Sequence, residues 1–350
     1  MSTPRVSIII PTYNRSALLV ETLESVFAQT CQDFEIIVVN DGSTDDTAAV
    51  LGKYGARLHC VHQANAGLNA ARNAALKIAR GEFFALLDDD DLWEPHKLEL
   101  SLALADRFPR AAFVFSNFSI LRDGQKISRD GLHTWHPTTQ WHEIFVHRHR
   151  FSAADLDIAA QPAGQIEDRE FDVYEGDVYD ASLEGPWVLP AASLVRRSAV
   201  PAGLEFCAQD PTCGDWEYFA RLSKHGGALF VDLDIAINRS HETAGRLTRM
   251  PRQLQLARRA AMTERVWLAD DEYLGHSGER ARATLHGCLT RLARAQLLAG
   301  NAVAAREALG RAAALGEHRT AAEWMTYCAA HIPGSGPSLR ALRRLMLARG

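Results

Sequence analysis

The chain has 350 residues, 47% hydrophobic and 23% charged, a composition that fits a soluble globular protein with a sizeable core in one large or two to three ordinary domains. Its formal net charge of -5 gives no electrostatic case for nucleic-acid binding over the whole chain, and no window approaches the roughly 20 apolar residues that span a bilayer. The six cysteines form no C-x-x-C pair and are too sparse for a disulfide framework, so reduced thiols in a cytoplasmic protein are expected; Cys207 and Cys213 are near enough in sequence to leave a disulfide open.

The opening MSTPRVSIII enters a strand-like run at once, without the charged, apolar and small-residue regions of a signal peptide. VSIII is a short β-branched strand stopped at Pro11. SALLVETLESVFAQT places Leu19, Leu23, Val26 and Phe27 at helical spacing, and FEIIVVN is a second strand whose unbroken apolar run predicts burial on both faces. STDDTAAVLGKYG reads as a helix with Ser43 and Asp46 in a capping-box arrangement. RLHCVHQ is a third strand, NAARNAALKIARG a helix closed by Gly81, and EFFALLD a fourth strand. Such alternation predicts a mostly parallel sheet covered on both faces, with ligands outside the carboxyl ends of its strands. PTYN, NDGS and DDDD all fall there.

The middle section is less regular. It holds HTWHPTTQWHEIFVHRHR and the acidic DREFDVYEGDVYDASLEG, before strand and helix patterns return in WVLPAASLVRRSAV, DWEYFARLSKHGG and ALFVDLDIAINR. His133, His136, His142, His147 and His149 match no standard zinc spacing and lack cysteine partners, so an acceptor-facing loop with Trp135 and Trp141 is expected instead. The acidic stretch from Asp155 to Glu184 is expected as a solvated insertion. From Pro251 the chain reads as helix: Leu285, Leu289 and Leu292 form one stripe, Gly300 stops it, and Ala305, Ala308, Leu309 and Ala312 form the next, like a single tetratricopeptide-type hairpin. The end, SLRALRRLMLARG, has the form of a basic amphipathic helix, suited to an anionic membrane or to docking on protein.

The order IIIPTYNR, IIVVNDGSTDDT, NAGLNAARNAAL, GEFFALLDDDDLWEPHKLE, then GDWEYFARL and NRSH resembles family 2 glycosyltransferases with the GT-A fold. The resemblance is dense to about residue 100, looser from Trp187 to about Thr248, and absent beyond. It implies an α/β GT-A domain with a mostly parallel sheet flanked by helices and a C-terminal helical extension. Residues 1–115 would hold the donor, 116–250 the acceptor and catalytic residues, and 251–350 the helical region. It further implies an inverting, metal-dependent enzyme of hexosyltransferase type. The donor would be a nucleoside-diphosphate sugar, by family habit a UDP-sugar, and the acceptor a glycan or lipid-linked hydroxyl. Location would be cytoplasmic or peripheral at the inner face of a membrane.

The residues suit that chemistry. Pro11 would turn TYN outward so that Tyr13 flanks the base while Thr12 and Asn14 offer polar atoms. Asp41 would accept a hydrogen bond from a base N–H; the local alternatives are a packed ring for Tyr13 and a turn-forming role for Asp41. Arg72 suits bidentate phosphate recognition, and the resemblance turns it toward the donor; otherwise it is a surface or acid-paired arginine. In the family's D-x-D-D pattern Asp88, Asp90 and Asp91 match. Alternation puts Asp88 and Asp90 on one face, Asp88 toward ribose or sugar hydroxyls and Asp90 toward Mn²⁺ or Mg²⁺. Asp89 holds the variable place, as a further donor contact or a solvated bystander, and Asp91 has the alternative of capping the next helix.

Asp215 matches the base that takes the acceptor's proton, with an N-cap role as its alternative. Gly214 stands where the family usually has an acid, and Glu217 is a weaker stand-in. His241 matches a metal or diphosphate ligand, and Arg246 and Thr248 a closing lid. The rivals are a sugar nucleotidyltransferase, for which PTYNRSA lacks a glycine-rich basic loop, and a nucleotide-binding scaffold recruiting partners through its helical tail.

Overall fold

The computed structural model describes residues 3–139, 141–156, 158, 170–240, 250–316 and 321–331, with backbone only at 142 and 321–325. His241, Arg246, Thr248 and the terminal basic segment lie outside the described residues. The chain divides into two compact units, Met1–Thr243 and Ala244–Gly350.

In the first unit β1 (Val6–Thr12), β2 (Phe34–Asn40), β3 (His59–His62) and β4 (Phe83–Leu86) alternate with α1 (Ser16–Phe27), α2 (Thr47–Tyr54) and α3 (Leu68–Ile78). Then come β5 (Leu92–Trp93), α4 (Lys97–Arg107), β6 (Phe113–Arg122), β7 (Gln125–Ser128) and the short α5 (Gly131–Trp135). The unit closes with β8 (Phe145–Phe151), β9 (Phe171–Gly176), β10 (Ser193–Arg196), α6 (Gly214–Ser223) and β11 (Ala228–Ser240).

The strands form one sheet in the order β3-β2-β1-β4-β10-β6-β11-β9-β8, with β5 on β11 and β7 on β6. β3, β2, β1, β4, β6, β11 and β8 run one way, while β10, β9, β5 and β7 oppose them. Every residue of β1 is buried, as a strand covered on both faces requires. The parallel block brings the ends of β1, β2 and β4 to one edge, which carries the candidate site.

Two local readings need correction. Pro11 does not stop β1: it pairs with Val39 inside the strand. The strand tolerates it because its amide-less nitrogen faces the β4 side, where pairing has already ended at Ile9 and Leu86. Ser43 does not open α2 either; the helix begins at Thr47, whose amide is held by Asp45 at 3.0 Å.

The second unit contains α7 (Arg252–Val266), α8 (Asp271–Ala299), α9 (Ala302–Ala313) and α10 (Ala321–His331). Asp270 and Asn301 cap α8 and α9 by accepting from the amides of Tyr273 and Ala304, and Gly300 closes α8 at φ 89°. Leu285, Leu289, Leu292, Ala305, Ala308, Leu309 and Ala312 meet in its core, so the two predicted stripes face each other. Among the described residues no helix is long and apolar enough to cross a membrane.

Candidate active site

The loop after β1 is built by its own polar atoms. Thr12 is buried and its Oγ1 donates to Asp89 Oδ2 at 2.7 Å. Asn14 sits at φ 52°, a left-handed conformation asparagine tolerates, and its Oδ1 accepts from the Thr44 amide at 2.7 Å. Tyr13 between them is 47% exposed, which leaves its ring a free face.

Asp41, just past β2, is buried. Its Oδ1 accepts from Gln63 Nε2 at 2.7 Å and the Ala66 amide at 2.8 Å, and its Oδ2 from the Gly67 amide at 2.8 Å. These partners lie 22 to 26 residues on in the chain, and the bonds shape the entry into α3. Gly42 is required beside it: at φ +76° a Cβ would stand 2.7 Å from the Asn65 nitrogen.

The four aspartates after β4 occupy four different environments. Asp88 is partly exposed, and its Oδ1 accepts from Arg72 Nη2 at 2.7 Å. Asp89 is buried rather than solvated, receiving Arg15 Nη1 at 2.9 Å on Oδ1 besides Thr12 on Oδ2. Burial raises its pKa, against the charge of Arg15 and with that of Asp90, to about 6. Asp90 shares Arg15 Nη1 at 2.8 Å. Asp91 does not cap a helix: it is buried, accepting from the Arg239 amide at 3.0 Å and Asn238 Nδ2 at 3.1 Å. Burial, then the charges of Asp90 and Asp88, push its pKa well up.

Residues not foreseen from sequence hold this run in place. Thr22 Oγ1 in α1 lies 3.0 and 2.9 Å from the carbonyls of Asp89 and Asp91. Arg239 in β11 donates to the Asp90 carbonyl and reaches Glu21 at 2.6 Å. A cation beside four acids was the available signal for Arg15 and Arg239, but their partners are brought together only by the sheet.

Arg72 is 1% exposed, pairs with Asp88 and packs 5.3 Å from the Phe206 ring centroid. Asp215 lies in the first turn of α6, partly exposed, and does not cap it; Cys213 holds the N-cap position. Burial raises the Asp215 pKa, and the nearby Arg72 charge opposes that rise. The Arg72 charge thus acts on both Asp88, which it contacts, and Asp215. Glu217 instead pairs with Arg221 at 3.0 Å.

Elsewhere in the unit, His136 stacks on Trp187 with centroids 4.0 Å apart, and His133 meets Trp141 edge-on at 6.4 Å. Cys207 and Cys213 are free thiols. Among the described residues no three Asp, Glu, His or Cys side chains gather as a metal cage.

Residues 7–158 match the family model described as glycosyl transferase family 2. An uncharacterized glycosyltransferase of Rickettsia bellii (strain RML369-C) is 40% identical over 129 residues, covering 36% of this chain and 18% of that protein. The chondroitin synthase of Escherichia coli is 39% identical over 132 residues, covering 36% and 19%. The chain spans between 18% and 33% of the length of such curated relatives. In fold it is similar to S. aureus TarS 1–349 in complex with UDP, at TM-score 0.52 and 15% identity, covering 96% of this chain and 91% of that one. Residues 7–158 are thus similar to glycosyl transferase family 2, and the fold is the GT-A fold.

Proposed function

We propose that the protein is an inverting glycosyltransferase that moves a sugar from a nucleoside-diphosphate sugar to a hydroxyl of a glycan or lipid-linked acceptor. The observation that carries this reading is the placement of Asp88 and Asp215 within reach of the Arg72 charge. It sets an acid at the end of a parallel strand, where donors bind, near a partly exposed acid on a helix. In the reaction the acceptor oxygen attacks the anomeric carbon, the bond from that carbon to the diphosphate oxygen breaks, and the hydroxyl proton passes to Asp215. The nucleoside diphosphate leaves with the bonding electron pair.

Residues 1–115 form the donor half in this reading and 116–250 the acceptor half. Tyr13 lends its exposed face to the base. Asp41 accepts from a base N–H through the remaining lone pair of Oδ2, since an ionised carboxylate has about four acceptor sites. Pro11, Thr12 and Asn14 act by shaping the loop, Arg72 by holding Asp88, and Asp89 by anchoring Thr12 and Arg15.

The chain's donor set fits a divalent cation. Asp88 and Asp90 are hard oxygen ligands on an acidic edge, and Mn²⁺ or Mg²⁺ often takes only one or two protein carboxylates beside phosphate and water. Asp90, with His241 as a further candidate, would hold it, while Asp88 faces ribose or sugar hydroxyls. When bound it supplies Lewis-acid neutralisation of charge on the diphosphate.

The test is calorimetric binding of UDP, GDP and dTDP, each with and without Mn²⁺, to the wild type and Asp90→Ala. UDP is the first probe because S. aureus TarS, similar in fold, was crystallised with it. Tight binding of one nucleotide that is lost without metal and in the variant is expected; no binding in any condition overturns the donor site. In the presence of a turned-over donor, Asp215→Asn is expected to lower kcat about 10³-fold with nucleotide affinity kept. Unchanged turnover removes Asp215 from the mechanism. A cytoplasmic setting, with the terminal basic segment on an anionic membrane, belongs to the same proposal; removing residues 335–350 should then release the protein from the membrane fraction.

A further inference from the structure

Three side chains of α3 point at the segment that leads into α6. Asn69, Arg72 and Asn73 lie three and four residues apart, hence on one helical face. Asn73 makes a closed pair with the backbone of Phe206, donating from Nδ2 to its carbonyl at 2.8 Å and accepting its amide at 2.9 Å. Asn69 Nδ2 donates to the carbonyls of Cys207 and Asp210, both at 2.9 Å, using both of its protons. The Phe206 ring is fixed as well, stacked 4.0 Å from Tyr218 of α6 and with Arg72 5.3 Å from its centroid.

The network continues to the base. Asp210 Oδ1 accepts from the amides of Thr212 at 3.3 Å and Cys213 at 3.1 Å, and Cys213 is the N-cap of α6. Hydrogen bonds therefore run from Asn69 through Asp210 to the residue two before Asp215. Gly214 completes the fit. A Cβ built there would stand 2.0 Å from Asn69 Nδ2 and 2.8 Å from its Cγ, so the Asn69 amide fills the space in which a side chain at 214 would begin. Gly214 has no need of glycine for its backbone, which is helical. Its lack of a side chain answers the position of Asn69.

We propose that Asn69 is a positioning residue for Asp215, and that Asn69 and Gly214 form a complementary pair locking the start of α6 to α3. The acid that the sequence pattern leads one to expect at 214 is excluded here by shape, so the acceptor side presents Asp215 without a neighbouring carboxylate. The lock rests on the reading of Asp215 as the base only for its catalytic consequence; its geometric content stands apart.

The test uses Gly214→Ala, Asn69→Ala and the double variant in the full chain labelled with 5-fluorotryptophan. The fluorine resonance of Trp216, assigned by Trp216→Phe, reports the start of α6, where this side chain donates to the Ser182 carbonyl at 2.6 Å. Release of UDP from UDP-N-acetylglucosamine, with water as acceptor, reports turnover. Gly214→Ala is expected to displace the resonance and lower kcat about 100-fold, with donor KM unchanged, since small misplacements of reacting groups have effects of that size. Asn69→Ala is expected to lose less. Adding Asn69→Ala to Gly214→Ala should return the resonance and recover about tenfold in kcat, the signature of coupled neighbours.

A silent Gly214→Ala overturns the proposal, and so does a double variant that behaves, or fails to fold, as Gly214→Ala does. If the wild type does not turn over this donor, the resonance decides alone. If Asp215→Asn keeps full turnover while the double variant restores the resonance, the lock stands and the assignment of the base falls.

Discussion

The two ends of the parallel strands treat buried acid in opposite ways. At the amino end, Glu35 of β2 is answered completely by the fold. Ser7 Oγ donates to it at 2.6 Å, the Arg80 amide at 2.8 Å, and the Arg80 guanidinium through Nε at 2.9 Å and Nη2 at 2.7 Å. Burial alone would raise its pKa, but the Ser7 bond, then the bonds and charge of Arg80, bring it below the ordinary value. At the carboxyl end, Asp89 is raised to about 6 and Asp91 is raised well above the ordinary value. The same chain that lowers one buried carboxylate with its own donors leaves two others, Asp89 and Asp91, raised.

That contrast is sharpest in the sign of two isosteric changes. Glu35→Gln turns an amide NH₂ toward the donors of Arg80 and should destabilise by about 1–3 kcal/mol at pH 7, read from the urea midpoint. Asp89→Asn removes a charge from a crowded buried set while Asp90 still pairs Arg15, and should be neutral or stabilising by up to about 1 kcal/mol. Equal losses at both positions would erase the distinction between the two ends.

The same difference predicts a pH dependence. A carboxyl raised from 3.8 to about 6 binds its proton more tightly in the folded chain. Its stabilising contribution is therefore full below about pH 4 and lost as pH rises through about 6. Lowering the pH from 7 to 5 should raise wild-type stability relative to Asp89→Asn, narrowing the gap between them in thermal melts. A gap that stays flat from pH 7 to 5 would mean that the Asp89 pKa is not raised. Glu35, shifted the other way, contributes no loss until the pH falls below the ordinary carboxylate range.

A further pH effect concerns Lys97, at the head of α4 and fully buried, with Nζ 2.7 Å from the Ser193 carbonyl and 4.3 Å from the Trp93 ring centroid. Burial lowers its pKa from 10.5 to about 7, so the folded chain holds this proton less tightly than the unfolded one. Its contribution is present above the unfolded pKa and lost as pH falls through about 7. Wild-type stability should thus rise from pH 7 to 9 relative to Lys97→Met, which has no proton to lose. A flat difference would mean that Lys97 stays charged in its buried position.

Much of the architecture was legible because it rests on short-range pattern. Unbroken apolar runs announced β1, β2 and β4, and the stripes ending at Gly300 announced α8 and α9. What failed were inferences from a single residue. Pro11 reads as a terminator, yet it stands where no partner strand needs its amide. Ser43 and Asp46 spell a capping box, but Asp45 makes the bond to the first helical amide. Asp89 reads as a bystander until the loop after β1 folds over it with Thr12 and Arg15.

The sequence by itself determined the alternation of strands and helices, the edge at which acids and polar loops gather, and the chemistry those acids are suited to. Periodicity and residue type act over a few neighbours, so they survive without knowledge of the fold. Only the tertiary structure decided which acid meets which cation, and that Asn69 rather than a side chain at 214 fills the space beside Asp215. Those pairings join residues 16 to 218 positions apart, such as Arg72 with Asp88 and Arg239 with Glu21. Their energies depend on burial and on distances of a few ångströms, quantities that exist only once the sheet has brought the strand ends together.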